Sequence, residues 1–286
     1  MTTMNEQATP LTLDKIQKIQ FDLLSTLVTF CDEQGISYFL CGGTLLGAIR
    51  HKGFIPWDDD IDIYVPREDY CRLIQLLSKE SIAENISVRV PGRSKHYWSY
   101  TKVIDNRTVA YEWVNGNKEC PPIKTAVWID VFPLDKYFIS KRLNKLLVKA
   151  IMFLNSVGYE KFIGRPLSQS SNNFRRLSRK LVMGILKTKK SEEIFYLVDK
   201  IAKRTSGLKE YRLGDLVLPN GYKDNFRREV FDRSELKLFC GRDFKVPLGW
   251  NEYLSQFYGE YMTLPKEEDR VHHSFVAYWK KDLVNI

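Results

Sequence analysis

The chain has 286 residues, 44% of them apolar and 28% charged, a composition that excludes intrinsic disorder. Its net charge of +9 is uneven: residues 136–205 hold 17 Lys and Arg against 4 Asp and Glu, a balance of +13, so the rest sums to −4. No apolar run approaches the roughly 18 residues of a spanning helix, and no signal peptide is expected at the N-terminus. The five cysteines lack CxxC spacing, which excludes a zinc knuckle or disulfide framework and implies a reducing, cytoplasmic setting.

Residues 11–34 place Ile16, Ile19, Leu23, Leu24, Leu27 and Phe30 at helical spacing behind Pro10, and Gly35 stops the pattern. Residues 36–41 read as a short buried strand ending at Gly42-Gly43, and 44–51 as a short helix closed by Gly53. Charged and apolar residues alternate over 59–65, which is strand period, while 67–79 returns to helix period through Tyr70, Leu73, Ile74 and Leu77. Further strands are predicted at 86–90, 97–104, 108–114 and 126–132, the last ended by Pro133. Beyond Asp135 long basic helices are expected near 140–157, 172–187 and 191–204, then a mixed, aromatic-rich segment with a helix at 250–258. The expected fold is α/β (α+β): a catalytic core over 1–135, a basic helical insertion over 136–205, and a C-terminal part over 206–286 that packs back on the core.

Asp58, Asp59, Asp60 and Asp62 fall within five positions between a double glycine and an apolar strand. Carboxylates this close repel by about several kcal/mol at a protein-like dielectric unless a cation relieves them. Flanking Trp57, Ile61, Ile63 and Val65 argue against full exposure. Strand parity over 58–65 puts Asp58, Asp60 and Asp62 on one face and Asp59 on the other. Alternate carboxylates along a strand stand about 7 Å apart, suited to bracketing a hard divalent cation, Mg²⁺ or Mn²⁺. Asp130, in Trp128-Ile-Asp-Val-Phe-Pro133, is the candidate ligand from a neighbouring strand.

Gly42 and Gly43 allow a phosphate close to the backbone, and the helix opening at Thr44 aims its N–H groups at it. Arg50, His51 and Lys52 lie between this cradle and the aspartates as candidate cationic contacts, with Trp57 beside them. Competing motifs fail on detail. Ala48-Ile49 replaces the Lys-Ser/Thr of a P-loop, and Ile63 stands where an EF-hand needs its turn glycine.

The run from Gly42 through Trp57-Asp-Asp-Asp-Ile-Asp-Ile63 resembles the signature of the LicD family, which includes phosphorylcholine transferases and the more distant fukutin-type proteins. Trp128-Ile-Asp-Val-Phe-Pro-Leu-Asp135 is similar to its second motif, and Tyr258-Gly-Glu-Tyr-Met262, Leu264-Pro265 and Arg270-Val-His-His273 to its third. The resemblance implies a nucleotidyltransferase-like mixed sheet flanked by helices. It also implies metal-dependent transfer of phosphocholine, or a similar phospho-alcohol, from a CDP-activated donor such as CDP-choline to a glycan or lipid-linked glycan. In that mechanism Asp58, Asp60, Asp62 and Asp130 hold the metal, Asp130 orients or deprotonates the acceptor hydroxyl, and Lys102 contacts a phosphate. Choline, ethanolamine, glycerol and ribitol are all compatible with the transferred group. A nucleotidyltransferase moving a nucleoside monophosphate, or a non-catalytic nucleotide- or glycan-binding protein, is the alternative.

Trp98, Tyr100, Tyr111 and Trp113 suit either a strand core or a cation–π cage for a quaternary ammonium group. His272 and His273 are either site residues or C-terminal packing. Residues 141–157 mix Lys141, Arg142, Lys145 and Lys149 with Leu146, Leu147, Ile151 and Phe153, the composition of an interfacial amphipathic helix. Peripheral contact with the inner face of a membrane is therefore expected. No nucleic-acid-binding module accompanies the charge, so no nucleic-acid partner is expected.

Overall fold

The computed structural model describes residues 8–164, 179, 181–221, 223–270 and 275–284. They form a mixed α/β protein, a mixed sheet flanked by helices, in two compact units. The first draws on Met1–Arg89, Lys102–Pro133 and Arg228–Ile286, the second on Val90–Thr101 and Leu134–Arg227.

The first unit opens with α1 (Leu13–Glu33), whose buried Ile16, Ile19, Leu23, Leu24, Leu27, Val28 and Cys31 recur every three to four residues and make one apolar stripe. Gly35 ends this stretch at φ +60°, a conformation that costs glycine least. Then follow β1 (Phe39–Leu40), α2 (Gly42–His51), β2 (Asp62–Pro66), α3 (Arg67–Leu77), β3 (Ile86–Arg89), β4 (Thr101–Asp105), β5 (Thr108–Glu112), β6 (Ile123–Thr125) and β7 (Trp128–Tyr137). The main sheet runs β1-β2-β7-β4-β3, with Leu40 opposite Ile63 in the antiparallel β1–β2 pair. This order puts β7, which carries Asp130, beside β2, which starts at Asp62.

Residues from 228 onward complete this unit. They supply the hairpin β9 (Ser234–Phe239) and β10 (Arg242–Pro247), α6 (Trp250–Tyr258), β11 (Phe275–Trp279), which pairs with β5, and α7 (Lys280–Val284). Tyr64 of β2 meets Phe132 at 6.4 Å, Phe231 at 6.1 Å and Tyr253 at 6.3 Å between ring centroids, all edge to face. Such pairs each add about 0.5–1.5 kcal/mol beyond area burial, so this aromatic cluster ties the C-terminal segment to the strand that begins at the aspartates.

The second unit holds α4 (Lys141–Ile163), α5 (Ser191–Lys203) and β8 (Arg212–Asp215), which pairs with Leu134–Tyr137 of β7. Gly158 lets α4 lie close to α5: a Cβ there would stand 2.8 Å from the Phe195 ring. Residues 179 and 181–185 are helical, and the rest of the earlier part of the helix expected over 172–187 lies outside the described residues.

Three strand expectations need correction. The acidic strand begins at Asp62, so Asp58 to Ile61 form the loop leading into it. The strand expected from residue 97 begins at Thr101. Pro133 does not end β7: the strand runs on to Tyr137, and its pairing with β8 starts at Leu134, just past the residue that lacks an N–H.

Candidate active site

The candidate metal, phosphate and catalytic residues all lie in the first unit, and the local fold explains their positions. The helix after β1 starts at Gly42, two residues earlier than expected, with Cys41 extended before it and Gly42 itself at φ +55°. A side chain at that φ costs about 1–2 kcal/mol, which makes glycine the residue of choice there. The Gly42 N–H donates to the Tyr253 hydroxyl at 3.0 Å, and Asp62 N–H donates to Thr44 Oγ1 at 2.8 Å. Thr44 thus couples the first turn of α2 to the start of β2.

The Asp58–Ile61 loop is held from outside. Gln17 and Gln20 on α1 donate to the Asp58 and Asp59 carbonyls at 2.8 and 2.7 Å, and Asp130 N–H donates to the Ile61 carbonyl at 2.8 Å. The outcome matches the parity reading although the loop is not a strand: Asp58, Asp60 and Asp62 are half-buried, and Asp59 is buried. A Cβ added to Gly43 would stand 2.6 Å from Asp58 Oδ2, and one on Gly42 3.0 Å from Asp62 Oδ2. The double glycine therefore gives two carboxylates room at the positive end of a helix.

Tyr258, the last residue of α6, faces the same group. Burial of its phenol raises its pKa most, followed by the charges of Asp62, Asp58 and Asp60, although the residue as a whole is 40% exposed. Three carboxylates thus act on one hydroxyl. Sequence reasoning placed Tyr258 in a motif but gave it no role, because only the fold brings α6 to the aspartate loop.

Asp130 is buried on β7. Trp128 Nε1 donates to its Oδ2 at 3.2 Å, and Lys102 Nζ lies 3.3 Å from its Oδ1 as an ion pair outside hydrogen-bond geometry. Burial pushes the carboxyl up to about 6; Lys102 opposes this, Glu112 and Asp60 add to it, and the indole hydrogen bond opposes it. The influence of Asp60 joins Asp130 electrostatically to the aspartate loop. Lys102 is itself only 1% exposed, with Nζ 3.4 Å from Glu112 Oε2.

Arg50 and His51 sit at the far end of α2 and are committed locally. Arg50 Nη1 donates to the Tyr261 carbonyl at 2.7 Å and Nε donates to His51 Nε2 at 2.9 Å. Burial lowers the pKa of both side chains, and the Arg50 charge lowers that of His51 further. The Trp57 ring lies under the Arg270 guanidinium at 4.2 Å. Of the aromatics considered for a cage, Trp98 and Tyr100 are buried in the second unit, while Tyr111 and Trp113 are half-buried in the first. His272 and His273 lie outside the described residues.

Among the described residues, no group of three or more His, Cys, Asp or Glu side chains forms a ready coordination shell. The half-buried Asp58, Asp60 and Asp62 nonetheless offer carboxylate oxygens, the donor type that hard divalent cations take. Mg²⁺ is commonly held by one or two carboxylates and completes its shell with water and substrate phosphate.

Comparison with known proteins shows the family of the chain. A sequence profile described as LicD/FKTN/FKRP, nucleotidyltransferase domain, matches residues 35–150, which span the glycines, the aspartates and Asp130. The chain is 31% identical over 282 residues to the lipopolysaccharide cholinephosphotransferase LicD of Haemophilus influenzae, covering 94% of this chain and 98% of that protein. A shorter match, 42% identity over 55 residues, covers 19% of this chain and 11% of the human ribitol 5-phosphate transferase FKRP. With the profile over the acidic site and the likeness to LicD running nearly end to end, the chain belongs to the LicD family.

Proposed function

We propose that this LicD-family transferase moves a phospho-alcohol, phosphocholine foremost, from a CDP-activated donor to a sugar hydroxyl of a cell-surface glycan or its lipid-linked precursor. The observation that carries this reading is the placement of Asp58 and Asp62 on Gly43 and Gly42, in a chain similar over nearly its full length to a cholinephosphotransferase. Asp58, Asp60, Asp62 and Asp130 would hold Mg²⁺ or Mn²⁺, which when bound supplies charge neutralisation for the diphosphate and the departing CMP. The chain's own part is positional and electrostatic. The α2 N-terminus directs its first-turn N–H groups and its dipole toward anionic groups. Asp130, buried and gripped at both oxygens, is the carboxylate that orients the acceptor hydroxyl and takes its proton. Arg50 fixes the Tyr261 backbone, three residues beyond Tyr258.

Peripheral contact with a lipid surface belongs to the same reading. No described helix is long and apolar enough to cross a membrane. On α4, however, Leu143 is 49%, Leu146 67% and Met152 49% exposed, beside exposed Lys141, Arg142, Lys145 and Lys149. Apolar side chains among cations favour an anionic surface, where each Lys or Arg contributes about 1 kcal/mol.

Incubating the protein with Mg²⁺, a panel of CDP-alcohols and a lipid-linked glycan tests the reaction. CMP should appear together with a labelled glycan; no CMP from any donor sinks the proposal. Pyrophosphate with a nucleotidylated acceptor would instead mark a nucleotidyltransferase, the second reading that the matched domain keeps open.

A further inference from the structure

Lys102 has the surroundings of a residue that positions another. Its ammonium lies 3.3 Å from Asp130 Oδ1, 3.4 Å from Glu112 Oε2 and 3.8 Å from the centroid of the Trp128 ring. Trp128 and Asp130 are two residues apart on β7, so their side chains leave the same face of the sheet. The indole serves both neighbours: its N–H donates to Asp130 Oδ2 at 3.2 Å, and its π face receives the ammonium. Each Asp130 oxygen therefore has its own partner on this chain, and the carboxylate cannot turn without breaking one of the two contacts. An ammonium on a side chain only 1% exposed offers a substrate phosphate almost no open surface.

We propose that Lys102, Glu112 and Trp128 form a positioning network that fixes the direction of the Asp130 carboxylate, and that Glu112 acts on the reaction through Lys102 without touching substrate. Glu112 is the second carboxylate on the ammonium, at 3.4 Å; without it, Lys102 has one carboxylate fewer to hold it in place. Lys102 becomes a positioning residue in place of a phosphate contact, and Glu112, which no motif points to, joins the site. The inference rests on the reading of Asp130 as the carboxylate that handles the acceptor hydroxyl.

The test uses the full chain with Glu112→Gln, Lys102→Met and the double variant, each checked for folding by thermal melting. Kinetics are followed as CMP release from CDP-choline with Mn²⁺ and glycan acceptor. Misplacement of a catalytic group lowers kcat more than it raises KM, so kcat should fall about 10-fold in Glu112→Gln and about 100-fold in Lys102→Met, with the donor KM within about 3-fold. In the Lys102→Met background, Glu112→Gln should cost nothing further. A second readout needs neither metal nor turnover: solvent exchange of the Trp128 indole N–H, assigned with Trp128→Phe, should quicken about 10-fold in both single variants if the Asp130 contact loosens. Glu112→Gln is the milder change and keeps the test decisive if Lys102→Met does not fold. The network is refuted if folded Glu112→Gln keeps wild-type kcat and indole exchange, or costs the same factor with and without Lys102. If the wild type releases no CMP from any donor, the functional reading fails instead. The indole exchange then decides the network alone: faster in Glu112→Gln sustains it, unchanged refutes it.

Discussion

Two acidic clusters in this molecule solve the same electrostatic problem in opposite ways. In the first unit, Asp58, Asp60 and Asp62 stay half-buried on a loop, and two of them lie against the glycine-opened N-terminus of α2. In the second unit, Asp135, Asp215 and Asp224 are buried at 0%, 5% and 2% exposure. That second cluster is answered from within. Asp215 Oδ1 accepts the Val217 and Leu218 N–H groups at 2.8 and 2.9 Å, and Asp224 Oδ2 accepts the Asn220 N–H. Burial first, then the Asp224 charge, pushes the Asp215 carboxyl well up, and burial brings Asp224 to about 7. A buried cluster that takes up protons and backbone donors is architecture. A cluster kept half-buried on glycines is left open to solvent.

The sharpest way to break this contrast is to neutralise one carboxylate of each cluster. Asp62→Asn should cost about 10³-fold in CMP release with little change in melting temperature, as expected when a group at the reacting centre is removed. Equal activity of Asp62→Asn and wild type would erase the functional half of the comparison. Gly43→Ala comes next. Its new Cβ meets only the movable end of Asp58, at 2.6 Å, so stability should hold while kcat falls about 10–100-fold through the displaced carboxylate.

The structural half is tested by Asp224→Asn across pH. Asp224 binds its proton more tightly folded than unfolded, so between its ordinary pKa of 3.8 and about 7 the native state holds more protons. Stability from this group is therefore lost as pH rises through that window, and the loss is complete above about 7. Wild type should melt lower at pH 8 than at pH 5. Asp224→Asn should flatten that slope and raise the pH 8 melting temperature by roughly 2–4 °C per kcal/mol recovered. A wild-type slope of the opposite sign, or one untouched by Asp224→Asn, would contradict the assignment. The smallest effect expected is on lipid: Leu146→Glu should weaken sedimentation with phosphatidylglycerol vesicles by about 5-fold and leave phosphatidylcholine controls unchanged.

Much of the first unit could be read in advance, because periodicity and local chemistry coincide there. The α1 stripe, the Gly35 stop and the α6 span follow from spacing alone. The separation of Asp58, Asp60 and Asp62 from Asp59 followed from parity even though the segment proved to be a loop, since Ile61 and Ile63 bury in either case. The passage of β7 through Pro133 was hidden because the next pairing partner, β8, lies about 80 positions away in the chain. Tyr258 and Glu112 were missed for the same reason: a phenol or a carboxylate gains a role only through a neighbour the fold supplies. Arg50 shows the converse. It looked like a phosphate contact, yet the fold gives its guanidinium to the Tyr261 carbonyl and to His51.

The most direct measurement is CMP release from CDP-choline in Mn²⁺ and glycan acceptor, comparing wild type with Asp60→Ala of matched melting temperature. The loop carboxylate that also bears on Asp130 should be indispensable, so acceptor-dependent release by wild type should fall by about 10³-fold or more in the variant. Release by Asp60→Ala at the wild-type rate would show that the half-open aspartates are not the catalytic centre.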